Sequence, residues 1–156
     1  MSSFEVLSFY RGLSARYDIT CPTVHATRKD RRPRDMRIHL HDVADDWFLM
    51  EFGIRYRSQA VFVSSDLGVA GTYAATPNHV VRVIPLGPYR YCWSSQFSDL
   101  LEVGLHNPGI EEFKEDLASA RYKEDCLEDA HRSGHEVMVF CESYICIPMN
   151  SIVQPV

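Results

Sequence analysis

The sequence predicts a single α+β domain spanning residues 1–156, with a mostly mixed or antiparallel sheet. Two observations point there. β-branched and aromatic runs recur through the second half, as "HVVRVIPL" (79–86), "YRYCW" (89–93) and "EVMVFCESYICIP" (136–148). The elements run strand, helix, several strands with two short helices, a long helix, then strands, an order of the α+β class. A third observation limits the size. A chain of 156 residues with 46% apolar side chains can fill one core and has little room for a second.

Taken in order, "EVLSFYRGL" (5–13) alternates well enough for a strand ending at Gly12. Residues 20–37 hold Pro22, Pro33 and many charges, and read as an exposed loop. Val43, Trp47, Phe48 and Phe52 fall near helical spacing, with Gly53 as the stop. "IRYRSQAVFV" (54–63) reads as a strand or a strand–turn–strand, and Ser64-Ser65-Asp66 then caps a short helix over 64–75. The two strands 79–86 and 89–93 precede another short helix over 95–105. Asn107-Pro108 opens one longer helix in the C-terminal half. It runs to about His131, with Ile110, Phe113, Leu117 and Leu127 on its apolar face and Gly134 as its stop. The chain finishes in a strand pair or a bent strand.

Composition excludes several classes of protein. No run approaches the roughly 20 apolar residues of a membrane span, and the N-terminus lacks the pattern of a signal peptide. No membrane association is therefore expected. Five cysteines without a CxxC pair argue against a disulfide framework or a zinc site and suit a reducing, cytoplasmic setting. Cys141 and Cys146, five positions apart, are expected on opposite faces of a strand. "HLHD" (39–42) is a histidine cluster without the cysteine or second cluster that would complete a metal site, so no metal is expected. The net charge of −5 argues against coating nucleic acid by charge alone. That average conceals a segment of +4 at 28–37 and one of −5 at 111–129.

Three short stretches carry the chemistry. Glu136 opens the last apolar run and shares a face with Met138, Phe140 and Glu142 if the strand alternates. The ordinary reading of either carboxylate is a solvated strand end or turn. In "FYRG" (9–12), Arg11 ends an apolar strand before Gly12, and its forked guanidinium suits a diphosphate or ribose; an edge arginine in water is the plain alternative. In "VFVSSDLGVAGTYA" (61–74) a strand ends in hydroxyls and enters a helix bearing Tyr73. Those hydroxyls can hold a carboxylate or a ribose, or only cap the helix.

In order and spacing these stretches resemble the arginine–serine–glutamate branch of the ADP-ribosyltransferase family. There, a first strand carries an arginine, a middle strand ends in a Ser-Thr-Ser-like motif, and a late strand opens with a glutamate. Arg11, Ser64-Ser65-Asp66 and Gly134-His135-Glu136-Val137-Met138-Val139 fall on these positions. The resemblance implies the family's split β-sheet core flanked by short helices, and NAD as a substrate. It makes Glu136 catalytic, steadying the oxocarbenium-like state formed as nicotinamide leaves. It places Arg11 and Gly12 on the phosphates or ribose, has Ser64 or Ser65 orient Glu136, and stacks Tyr73 on nicotinamide. Glu142, ~20 Å along an extended strand, stays structural. Gly134 stands where arginine-modifying members carry a further glutamate, which speaks against arginine as the acceptor.

For the acceptor, Arg31, Arg32 and Arg34 form a cationic arm suited to nucleic acid phosphates, with Tyr17 or Trp47 available for stacking. Its plain alternative is a loop tethered by ion pairs to the acidic segment 111–129. Compact size without targeting further resembles toxins of bacterial toxin–antitoxin and phage-defence systems. The leading expectation is transfer of ADP-ribose to nucleic acid, RNA before DNA, with an antitoxin protein as partner. A protein acceptor or NAD hydrolysis is the second reading. A non-enzymatic binding module, immunity- or antitoxin-like, is the third.

Overall fold

The computed structural model of the protein describes residues 3–32, 36–103 and 109–149. It is α+β, with a six-stranded sheet in which every pairing is antiparallel. The strands are β1 (Tyr10–Gly12), β2 (Thr23–Ala26), β3 (Val61–Val63), β4 (Val80–Ser94), β5 (Tyr122–Lys123) and β6 (Val137–Pro148). The helices are α1 (Ile38–Phe52), α2 (Tyr56–Gln59), α3 (Leu67–Thr72), α4 (Leu100–Val103), α5 (Ile110–Ser119) and α6 (Leu127–Ser133). Among the described residues, no helix is long and apolar enough to cross a membrane.

Two long strands, β4 and β6, pair with each other and carry the four short ones along their outer edges. β3 and β2 lie on β6 at its beginning and end, while β1 and β5 lie on β4 in the same manner. A register shift between Leu86 and Tyr89, with Gly87 at φ 69°, bends the central pair. The two expected strands 79–86 and 89–93 are thus one strand with an irregularity. Burial along β6 changes phase between Cys141 and Tyr144. Cys141 and Cys146 consequently pack in the same core cluster, contrary to expectation, and all five thiols are free.

The first half of β6 is buried on both faces, which accounts for its apolar run. Val137 and Val139 join Phe4, Phe9, Val61, Val63, Trp93 and Leu127 on one side. Met138 faces a second cluster built from α1, α2, α4 and α5, including Phe48, Tyr56, Leu100, Phe113 and Leu117.

Local chemistry explains both the agreements and the departures. Gly53 and Gly134, at φ 78° and 71°, end α1 and α6 in the left-handed conformation glycine favours. The Asp66 side chain caps α3 by accepting from the amides of Gly68 and Val69. The expected strand 5–13 is only β1, because residues 3–7 turn back with Val6 and Leu7 donating to the Ser3 carbonyl. Residues 20–37 are not all loop: Thr23–Ala26 adds an edge strand. Residues 54–63 contain the turn of helix α2 before the strand β3. The single longer C-terminal-half helix is two helices, α5 and α6, divided by β5 and by Arg121 and Cys126 at φ 54° and 61°. Its expected Asn107-Pro108 cap lies outside the described residues.

Candidate active site

The strand register brings the predicted residues together. β3 and β6 pair up to Val63 and Val137, so Ser64 and Glu136 stand one residue beyond the last pair, on adjacent strands. A two-bond bridge then joins β3 to β1: the Tyr10 amide donates to the Ser64 carbonyl (2.7 Å) and the Ser64 amide to the Tyr10 carbonyl (2.9 Å). Arg11 follows directly. Here a cleft of about 200 Å³ is lined by Arg11, Gly12, Ser64, Tyr73 and Glu136, together with Arg31 and Arg32. Arg34 lies outside the described residues.

Glu136, Ser64 and Arg11 are held by identifiable contacts. The Glu136 amide donates to the Ser98 carbonyl at 2.7 Å. Its carboxylate accepts from Arg57 Nη1 at 3.0 Å, and the two side chains are 19% and 9% exposed. The Ser64 hydroxyl donates to the Gly134 carbonyl at 2.7 Å and accepts from the Asp66 amide at 3.0 Å. Ser64 therefore braces the backbone two residues before Glu136 rather than its carboxylate. The Ser65 hydroxyl donates to the His131 carbonyl at the end of α6, and Ser65 is not among the cleft-lining residues. Ser65 thus ties the end of β3 to α6.

Arg11 Nη1 donates to the Tyr144 hydroxyl at 3.3 Å, while its Nε is buried without a protein partner. Gly12 borders the cleft, but its lack of a side chain answers a packing demand. A Cβ there would lie 2.4–2.6 Å from backbone atoms of Ala70, Tyr73 and Ala74 around α3. Gly134 is likewise conformational: φ 71° strains any larger residue, consistent with no glutamate at this position.

The cationic arm reaches the cleft. Arg31 stacks on Phe62 with its guanidinium carbon 3.9 Å from the ring centroid, and its amide donates to the Ser58 carbonyl at 3.0 Å. Burial, followed by the charges of Arg11 and Arg57, lowers the Arg31 guanidinium to a pKa of about 10. Among the described residues, no ion pair ties 28–32 to the acidic segment 111–129; Arg28 pairs with neighbouring Asp30 instead. In "YRYCWSSQFSD", the Ser94 hydroxyl is buried and accepts from the Gln96 and Phe97 amides, a turn-capping role. The following Ser98 and Asp99 reach the cleft wall.

Sequence reasoning missed Arg57 and His41. Both line the cleft and are buried. Arg57 sits in a stretch that reads as strand, and its partner is 79 residues away, so no local signal exists. The cleft thus gathers Arg11, Arg31, Arg32 and Arg57 against Glu136 and Asp99, a cationic surface suited to a phosphorylated ligand. No protein-family model, curated protein or solved structure matches the chain.

Proposed function

We propose that the protein is a mono-ADP-ribosyltransferase, built on that family's split-sheet core, that transfers ADP-ribose from NAD to a nucleic acid, RNA in preference to DNA. The observation that supports this most is the convergence of Arg11, Ser64 and Glu136 from separate strands on one cleft, with Arg31 and Arg32 on its wall.

In this reading the bond between ribose C1′ and the nicotinamide nitrogen breaks. Its electron pair leaves with nicotinamide and neutralises the pyridinium charge. Glu136 places a carboxylate beside the oxocarbenium character that develops at C1′, a stabilisation that grows only as the transition state forms. Arg11 pairs with a phosphate of NAD, and Tyr73 offers its ring to nicotinamide. Ser64 acts through the Gly134 carbonyl, fixing the chain that leads to Glu136. The acceptor atom closes a new bond to C1′ and releases its proton to solvent. Arg31 and Arg32 hold acceptor phosphates, and Gly134 accords with an acceptor other than arginine. A protein with this activity is harmful when free, so a cytoplasmic antitoxin is its expected partner.

The test is label transfer from NAD labelled in its adenylate, with RNA, DNA and protein offered separately. Label in RNA that falls by about 10²-fold or more in Glu136→Ala supports the reading. Label in protein, or NAD consumed with no labelled product, moves the assignment to a protein acceptor or to hydrolysis. NAD left untouched in every arm favours a binding module without catalysis.

A further inference from the structure

Arg57 is a buried cation for which the serine-centred scheme has no role. That scheme assigns the orientation of Glu136 to a serine, yet the Ser64 and Ser65 hydroxyls donate to backbone carbonyls. Among the described residues, Arg57 supplies the side-chain hydrogen bond to the Glu136 carboxylate, on Oε1. The guanidinium is itself fixed. Its carbon lies 4.2 Å from the Phe62 ring centroid, and Nη1 also approaches Met138 Sδ at 3.6 Å. α2, which carries it, is anchored by the fully buried Tyr56, whose hydroxyl donates to Glu124. Phe62 and Met138 are paired neighbours on β3 and β6, so the surface that holds Arg57 belongs to the same strands that place Ser64 and Glu136.

We infer that Arg57 is the positioning residue for Glu136, fixing one carboxylate oxygen so that the other faces the ribose. The inference rests on the transferase reading above. Arginine suits the task because its planar fork is permanently charged and loses little freedom when stacked on a ring. A neighbouring cation also has an opposing effect, since it weakens the negative field that Glu136 presents to C1′. The two effects predict opposite signs. If orientation dominates, removing Arg57 lowers kcat; if damping dominates, removal raises it.

The experiment is a double-mutant cycle on the full chain, reading nicotinamide release from NAD in the presence of total RNA. It compares wild type, Arg57→Met, Arg57→Lys, Glu136→Gln and Arg57→Met/Glu136→Gln, each checked for fold by near-UV circular dichroism. The expected result is a fall in kcat of about 10²-fold in Arg57→Met, with KM for NAD changed less than about threefold. Arg57→Lys recovers about tenfold of that loss, and Arg57→Met adds less than about twofold in the Glu136→Gln background. Should Arg57→Met not fold, Arg57→Lys with and without Glu136→Gln supplies the same comparison. Unchanged or raised kcat in Arg57→Met, or an equal loss in both backgrounds, overturns the inference. A wild type that releases no nicotinamide overturns the transferase reading and this inference with it, whereas failure of the inference alone leaves wild type active.

Discussion

Gly12→Ala tests whether the cleft is shaped by the approach of β1 to α3. An added methyl would meet the Ala74 nitrogen at 2.4 Å, the Ala70 oxygen at 2.5 Å and the Tyr73 carbonyl carbon at 2.6 Å. All three are backbone atoms, so no rotamer change relieves them. Ordinary carbon contacts begin near 3.5 Å, and α3 must therefore retreat by roughly 1 Å. Overpacking of this kind costs about 1–3 kcal/mol, against which the lower entropy of the unfolded alanine chain returns only about 0.4–1 kcal/mol. The net expectation is a loss of about 1.3 kcal/mol, or a Tm lower by about 3–5 °C in a domain of this size. Gly71→Ala is the matched control. It lies inside α3 with nothing within 4 Å of its added methyl, so the same substitution should stabilise, by about 0.5–1 kcal/mol. Thermal and urea denaturation of both variants provides the readout. Equal Tm shifts, or a Gly12→Ala protein as stable as wild type, would refute the packing argument. Because Arg11 and Tyr73 flank this contact, Gly12→Ala should also weaken NAD binding, measurable by calorimetry.

Three further outcomes follow from the charges around the cleft. Arg31→Gln/Arg32→Gln should weaken binding to single-stranded RNA and make the slope of log affinity against log salt shallower by about 0.7 for each phosphate no longer neutralised, read by fluorescence anisotropy. Arg31→Met keeps an apolar chain over Phe62 but removes a guanidinium crowded by Arg11 and Arg57; the urea midpoint should rise, corresponding to about 1 kcal/mol, while acceptor modification falls. The buried His41 has its pKa lowered by burial and then by Arg57, with Asp45, Asp42 and the Arg31 backbone opposing, and His25 is lowered by burial and by Arg11. A depressed histidine pKa contributes stability that is present above the unfolded value near 6.5 and lost as pH falls through the folded one, so the urea midpoint should decline from pH 7 to pH 5, and His41→Asn should flatten that decline.

What could be read in the sequence was mostly punctuation and pattern. Gly53 and Gly134 mark helix ends because only a residue without Cβ takes φ near +75° cheaply, and both stand where expected. Asp66 announces its cap by type and position. The break between α5 and α6 carries no glycine or proline. Two ordinary residues, Arg121 and Cys126, adopt positive φ on either side of β5, whose pairing with Trp93 and Ser94 of β4 is a tertiary contact with no local trace. β2 is hidden by its company: four residues on a sheet edge, with Val24 exposed, resemble the polar loop around them. Arg11, Gly12, Ser64, Tyr73, Arg31, Arg32 and Glu136, singled out from the sequence, all line one cleft. How they act was less legible. The register of β3 on β6 sends the Ser64 hydroxyl to a carbonyl, and the turn of α2 delivers Arg57 in its stead.

The position of a carboxylate at the front of an apolar strand follows from these contacts. The start of β6 is held on both edges, by β3 and by β4, and on both faces by core clusters. The residues just ahead are bound at three points: Gly134 by Ser64, His135 through its ring to the Ser94 carbonyl, and Glu136 by its amide to Ser98. The backbone under Glu136 therefore has little freedom, and its remaining torsions end on Arg57. Burying such a pair costs several kcal/mol of hydration per ion and is recovered only where geometry is good and the remaining polar atoms are satisfied. Here Arg57 Nε is buried without a partner, so recovery is incomplete. Replacing such a pair by apolar groups of similar volume is often neutral or stabilising. Under the transferase reading we propose, the charged pair serves the cleft rather than the strand end.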